Sequence, residues 1–331
     1  MRVTQNSIIP KYQRTLEETQ YRRFLEQSRL STGKDIITIS EKPKEIVMVK
    51  HFNTLVNQNE KYLDNLELTL SELQNVSDQT TIISDKFRDI RDHSINAARE
   101  GASSSLYTIG VQIRDLMIDI INLANMEFNG HYVFSGTKTT AESIDMDNTY
   151  QTDLPFELIE GESSLENFSG FDVVFKGNLK DRIINKSNNS TEKVNITADD
   201  LFGSEGEEAF KSIINLYNTI TFNSDGSKRD LTDALTVDDV GKLDTFQKEI
   251  AQFYEKINRT NGELGIRINR LEAIRQQTEE ENVRLKEFRS IHEDTNVADA
   301  AIKLSKEENL LQYTLQVGGR LIRQSLLDFL A

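Results

Sequence analysis

No cysteine occurs in the 331 residues, and no tryptophan. The first absence removes disulfides, a thiolate nucleophile and Cys-ligated zinc together, and it suits a chain that passes between redox compartments. Proline is confined to Pro10, Pro43 and Pro155, so long stretches run free of helix breakers. No apolar run approaches the ~20 residues of a membrane span. Residues 1–31 lack the basic-then-apolar layout of a cleaved secretory leader, so export, if it occurs, is expected by another route.

Charge is uneven. Residues 139–239 hold 8 Lys+Arg against 21 Asp+Glu, whereas 1–138 hold 17 against 18 and 240–331 hold 14 against 15. The net −15 therefore sits almost wholly in a central segment between two neutral arms. Such a lobe repels phosphates, which excludes nucleic acid as a natural partner.

The equipment of catalysis is also missing. The four histidines, His51, His93, His131 and His292, are widely spaced and form no H-E-x-x-H pattern. There is no phosphate-binding glycine loop, no G-x-S-x-G elbow and no dinucleotide fingerprint. Asp145-Met-Asp begins like a calcium loop but has Tyr150 where glycine and Phe156 where glutamate are needed. Asp199-Asp200 and Glu205, Glu207 and Glu208 read as helix caps and first-turn acids. The chain is expected to be neither an enzyme nor a holder of metal or cofactor.

What is present is helical periodicity. Phe52, Asn59, Leu66, Leu73, Thr80, Phe87 and Ser94 repeat every seven residues, with Met48, Leu55, Tyr62, Thr69, Val76, Ile83, Ile90 and Ala97 in the paired position. That seam predicts a long coiled-coil-like helix of roughly 70 Å. After a break at Gly101 to Ser105, Leu106, Ile109, Ile113, Leu116, Ile120 and Leu123 predict a second helix folded back on the first. The C-terminal arm carries Ile250, Phe253, Ile257, Leu264, Ile268 and Leu271, extended by Leu285 and Phe288. Its last stripe is Val297, Ala301, Leu304, Leu311, Leu315, Gly318, Ile322, Leu326 and Phe329. Gly318-Gly319 cost that helix ~2 kcal/mol of propensity, which leaves two readings, a close helix approach or a local kink. Between the arms, Phe156–Ile159, Phe171–Phe175, Ile183-Ile184, and Val194 with Ile196 predict strands, and a helix is expected from about Glu205 to Tyr217. The fold class is mainly α: long antiparallel helices from both termini form a coiled-coil-like bundle with an inserted central α+β lobe.

Three stretches carry a resemblance. Leu30-Ser31-Thr32-Gly33-Lys34 followed by Ser40-Glu41-Lys42-Pro43 resembles the L-S-T-G-K … S-D-D-P signature of the flagellin family, with Glu41-Lys42 in place of the acidic pair. Gly130 to Gly136, with Tyr132, Phe134 and Gly136, is similar to a G-x-Y-x-F-[AS]-G element of that family's hook-associated junction members; ordinary flagellins share only Phe128-Asn129-Gly130. Asn296 to Ala301 and Ser325 to Leu330 resemble the same members' terminal helix. The resemblance implies nested layers: 1–45 with 295–331 as an inner core, 46–138 with 240–294 as a coiled-coil-like layer, and 139–239 as the variable outer lobe. It implies a structural subunit at the junction of hook and filament, extracellular and exported by the flagellar type III route. The implied partners are further copies in a ring, a neighbouring hook-associated junction protein, flagellin or the filament cap, and a cytoplasmic export chaperone on the C-terminal arm, with no nucleic acid and no membrane insertion. Stripes such as Val297, Leu304, Leu311, Leu315, Ile322 and Leu326 are expected to bury against neighbouring subunits, the plainer alternative being packing within one subunit. Rival readings are a filament flagellin and a secreted coiled-coil adhesin or binding module.

Overall fold

A computed structural model describes residues 8–100, 103–138, 143–144, 150–151, 154–164, 167–187, 190–230 and 233–330, with side chains in the last helix placed up to Leu321. The rejected calcium loop and the turn at Asn188-Asn189 fall largely outside these residues, as does the start of the break at Gly101.

The helices are α1 (Ile8–Thr32), α2 (Pro43–Glu100), α3 (Ser103–Ala124), α4 (Ala198–Phe202), α5 (Glu208–Thr221), α6 (Val237–Glu293) and α7 (Val297–Leu330). Among the described residues the strands pair in four antiparallel ladders: β1 (Glu127–Phe128) with β2 (His131–Tyr132), β3 (Ser143–Ile144) with β4 (Tyr150–Gln151), β5 (Phe156–Glu160) with β6 (Phe171–Phe175), and β7 (Ile183–Ser187) with β8 (Ser190–Lys193). The chain divides into two compact units, one of residues 1–61 and 278–331, the other of residues 62–277.

In the larger unit the heptad seam of α2 is closed from Leu66 to Ala97: Leu66, Leu73, Val76, Ile83, Phe87, Ile90 and Ala97 are all buried. Thr80 and Ser94 fill seam positions by turning their hydroxyls onto the carbonyls of Val76 and Arg91, at 2.7 Å each. The partner stripe of α6 runs antiparallel, since Phe87 meets Phe253 (ring centroids 6.4 Å apart) and Ser77 meets Asn261 (2.8 Å). α3 returns along α2, as the Lys86–Asp119 ion pair at 2.6 Å requires. At 58 residues α2 exceeds the expected seam and is about 87 Å long.

The β-bearing segment shares this core. Phe156 of β5 lies against Phe175, Phe202 and Phe210, with centroids 4.9, 5.3 and 5.7 Å away. β5 and β6 form over the expected runs, but the expected helix from Glu205 is displaced. Gly203 (φ 89°) and Gly206 (φ 79°) break the chain into α4, a 3-10 turn at Ser204–Gly206, and α5. Gly206 is required there, because a Cβ would stand 2.7 Å from the Ala198 Cβ. Asp199 and Asp200 occupy the first turn of α4, where the Thr197 N–H donates to the Asp200 carboxylate at 3.1 Å. Glu207 precedes α5 and accepts the Phe175 N–H at 2.9 Å. Val194 and Ile196 are buried just beyond β8, where the Val194 N–H still bonds the Arg182 carbonyl beside β7 at 2.9 Å.

A buried ion pair closes the base of this segment: Arg229 Nη2 lies 2.6 Å from Asp239 Oδ2, and the same guanidinium donates to Asn223 and to the Ala234 carbonyl. Burial by itself would raise the Asp239 pKa, but the Thr236 N–H and hydroxyl and the Arg229 charge outweigh it and hold the carboxyl below its ordinary range. A depressed carboxyl pKa contributes stability that is full above the unfolded value, near 3.9 for aspartate, and lost as pH falls through the folded one. Asp239→Ala should therefore lower unfolding free energy at pH 7 by about 3–5 kcal/mol. In urea titrations that deficit should shrink as pH falls below about 3.9, and a deficit independent of pH would contradict the assignment.

Candidate functional site: the terminal-arm surface

In the smaller unit the Leu30–Lys34 motif ends one helix and ties it to another. Gly33 takes φ 70° and donates its N–H to the Arg29 carbonyl at 2.9 Å, a left-handed C-terminal cap. The chain then pairs with the turn between α6 and α7: Lys34 bridges Asp294, the Asp35 N–H reaches the Glu293 carbonyl (2.8 Å), and the Thr295 N–H reaches the Gly33 carbonyl (2.9 Å). The Lys34 ammonium meets the Glu293 carboxylate. Arg29 donates to Glu26 (2.5 Å), Glu41 (3.3 Å) and the Asp35 carbonyl (3.0 Å), while Lys42 pairs with Asp35. Glu41 and Lys42, which replace the acidic pair of the signature, thus both serve this charge network. Pro43 begins α2, where its missing N–H costs nothing.

α1 and α7 lie side by side. Along α7, Ala300, Leu304, Glu307, Leu311, Thr314, Gly318 and Leu321 are covered, spaced by three and four residues. α7 runs unbroken through Gly318-Gly319, and a Cβ on Gly318 would stand 2.0 Å from the Tyr12 hydroxyl. Close approach, not a kink, is the reason for that glycine. The expected stripe is consequently divided. Leu304, Leu311 and Gly318 turn toward α1, whereas Val297 (61% exposed) and Leu315 (51%) stand outside. Ile322, Leu326 and Phe329 lie where side chains are not described. Ile302, Leu310, Tyr313 and Val317 are exposed as well, on a different side of α7 from Val297 and Leu315, and Phe24 of α1 is exposed too. Sequence reasoning missed these four α7 residues although they step by 8, 3 and 4, a second stripe interrupted by Lys306.

The covered side is thin and ionic. Among the described residues Leu25 and Ala300 are its buried apolar side chains, with Thr19 bonded to the Thr15 carbonyl at 2.8 Å. Arg22 faces Glu307 at 3.8 Å, and Arg23 Nε is buried without a protein partner. Further along this unit, Phe52 stacks on Phe288 and His292 at 6.0 and 6.1 Å, although Phe288 stays half exposed.

Tyr132, Phe134 and Gly136 do not join this surface. They belong to the larger unit, where Asn129 (φ 53°) and Gly130 (φ 77°) form the two-residue turn between β1 and β2. Phe134 is fully buried in the core. Tyr132 is buried as well, and burial, with Glu127 beside its hydroxyl, raises its pKa. Gly136 (φ 71°) sits so near Asn178 that a Cβ would lie 1.9 Å from that residue's carbonyl oxygen. The motif fixes how α3 hands the chain to the β-bearing segment.

Among the described residues no helix is long and apolar enough to cross a membrane, and no three histidine or acidic side chains gather as metal ligands would.

Residues 3–139 match the bacterial flagellin N-terminal helical region. No curated protein matches the sequence. Among solved structures, one described as a flagellar hook-associated protein of Vibrio parahaemolyticus superposes with a TM-score of 0.60 at 16% identity, covering 76% of this chain and 99% of that one. Flagellar hook-associated protein-3 of Legionella pneumophila gives 0.56 at 13% identity, over 73% and 99%. FlgL of Xanthomonas campestris gives 0.53 at 11% identity, over 72% and 98%.

The Tyr12–Gly318 contact yields a direct test. Gly318→Leu overpacks the α1–α7 seam by about 1–3 kcal/mol. Amides of α1 and α7 should then exchange with deuterium about 5- to 150-fold faster, with α3 unchanged. Unchanged exchange in α7 would show that the contact does not hold the two helices.

Proposed function

Since the chain is flagellin-like over residues 3–139 and shares the fold of solved hook-associated proteins, we propose that it is a structural subunit of the bacterial flagellum, built into the junction of hook and filament. The observation that carries this reading is the apolar surface that α7 leaves open on two sides, Val297 and Leu315 on one and Ile302, Leu310, Tyr313 and Val317 on the other, on a helix held by a thin ionic seam. An isolated soluble chain gains nothing from such a face. A subunit in a ring buries it against its neighbour, each large side chain contributing on the order of 1 kcal/mol or more as its exposed remainder leaves water.

In this reading residues 1–45 and 295–331 form the innermost layer of the assembled ring. Residues 46–138 and 240–294 form the layer around it, and 139–239 face outward as the acidic lobe. The ring rests on a neighbouring hook-associated junction protein and presents a surface on which flagellin or the filament cap assembles. Before assembly the C-terminal arm is covered by a cytoplasmic export chaperone, and the protein reaches the flagellum by the flagellar type III route. The role is mechanical and uses no cofactor, metal or catalysis.

Leu315→Asp should leave the thermal melt of the larger unit unaltered and permit export, yet abolish swimming and release filaments or flagellin into the medium. Normal swimming by that variant would remove the terminal-arm face from the account.

A further inference from the structure

Between the strap that joins α1 to α2 and the first turns of α2 lies a cavity of ≈ 280 Å³ lined mainly by aliphatic side chains, Ile36, Ile37, Ile39, Ile46 and Val49. Ile39 is 78% exposed, and Val47 and Met48, next in the chain to Ile46, are exposed as well. Lys50 also lines the cavity and makes no ion pair among the described residues. A hollow of this kind in contact with water marks a place where something apolar docks.

α7 carries the complement. Val297, Glu308 and Leu315 are eleven and seven residues apart, about three and two helical turns, and so share one side. Val297 and Leu315 are open to water, and Glu308 is exposed without an ion pair among the described residues. That side offers apolar side chains and a carboxylate, where the strap offers an apolar hollow and an ammonium. The other open side, with Ile302 and Tyr313, has Lys306 in its middle, which would repel Lys50. Cavity and helix belong to the same compact unit, yet each is uncovered in the single chain. We propose that Leu315 of one copy enters the strap cavity of the next, with Glu308, about 10 Å along the same side of α7, against Lys50. This rests on the junction reading above and names the surface that receives α7. Because plug and socket are different surfaces, the contact runs head to tail, and such contacts close into rings or wind into helices instead of stopping at a dimer.

The chain has no cysteine, so introduced thiols report one pair of positions at a time. Ile39→Cys and Leu315→Cys are combined in one full-length chain made by cells that lack the unmodified protein. Isolated flagella are treated with diamide, which takes up the two thiol hydrogens as the disulfide forms. The expected result is a ladder of dimers, trimers and higher multiples on non-reducing gels. Either cysteine alone, or Ile39→Cys with Ile302→Cys, should give at least about tenfold less, because those positions lie beyond disulfide reach. Adding Lys50→Glu should lower the yield up to about fivefold, and adding Glu308→Lys to that variant should restore it. If the double-cysteine chain does not reach the flagellum, the two charge reversals are read by swimming in the otherwise unmodified chain, with loss for Lys50→Glu and recovery when Glu308→Lys is added. Swimming cells without the ladder, an equal ladder from Ile302→Cys, or a Lys50→Glu defect that Glu308→Lys does not relieve would overturn this docking and leave the junction reading standing. Absence of the unmodified chain from the flagella would overturn that reading and the docking together.

Discussion

The structure depends on the antiparallel pairing of α2 with α6 through a dry seam, in which Phe87 and Phe253 meet 6.4 Å apart among Leu73, Val76, Ile83, Ile90, Ile257 and Leu264. A seam of this kind requires apolar residues at fixed intervals on both helices, and it fixes their register wherever large rings interlock. It also explains the polar occupants. Thr80 and Ser94 satisfy their hydroxyls within their own helix, and Ser77 and Ser84 donate across to Asn261 and Asn258 at 2.8 and 2.9 Å. α3 and the phenylalanine group around Phe156 then pack onto a surface already set.

The smaller unit is held by other means. Among the described residues its buried apolar side chains are few, Leu25, Val56 and Ala300, and its connections are charges and backbone bonds: the Gly33 cap, the Lys34–Asp294 bridge and the carboxylates around Arg29. Exposed pairs of this sort contribute little each. Large exposed side chains such as Ile302 and Tyr313 add nothing to the isolated fold. A unit with little apolar burial and much apolar surface is one whose stability is completed by association, and this contrast supports reading the arms as the assembling part.

Legibility in the sequence followed the physics. The α2 seam, the α3 stripe and the runs of β5 and β6 could be read because burial imposes a period. The short α4 could not, because five residues are too few for periodicity, and its signals, Thr197 with Asp200 and the positive-φ glycines at 203 and 206, are local. On α7 the period was visible but its orientation was not: Leu304 and Leu311 face α1 while Leu315 faces outward, a split that only the partner helix decides. Tyr132 to Gly136 were legible as a motif, whereas their burial, with Phe134 wholly enclosed, came from the fold.

The central claim is a place in the flagellum, and position can be seen. An epitope inserted in the exposed stretch at Glu162 to Ser164, on the polar side of the β5–β6 turn, can be imaged with labelled antibody on intact cells. The account predicts a single spot on each flagellum, at the boundary of hook and filament. Label spread along the whole filament would contradict it and make the chain a filament subunit, and a complete lack of flagellar label would contradict the flagellar role itself.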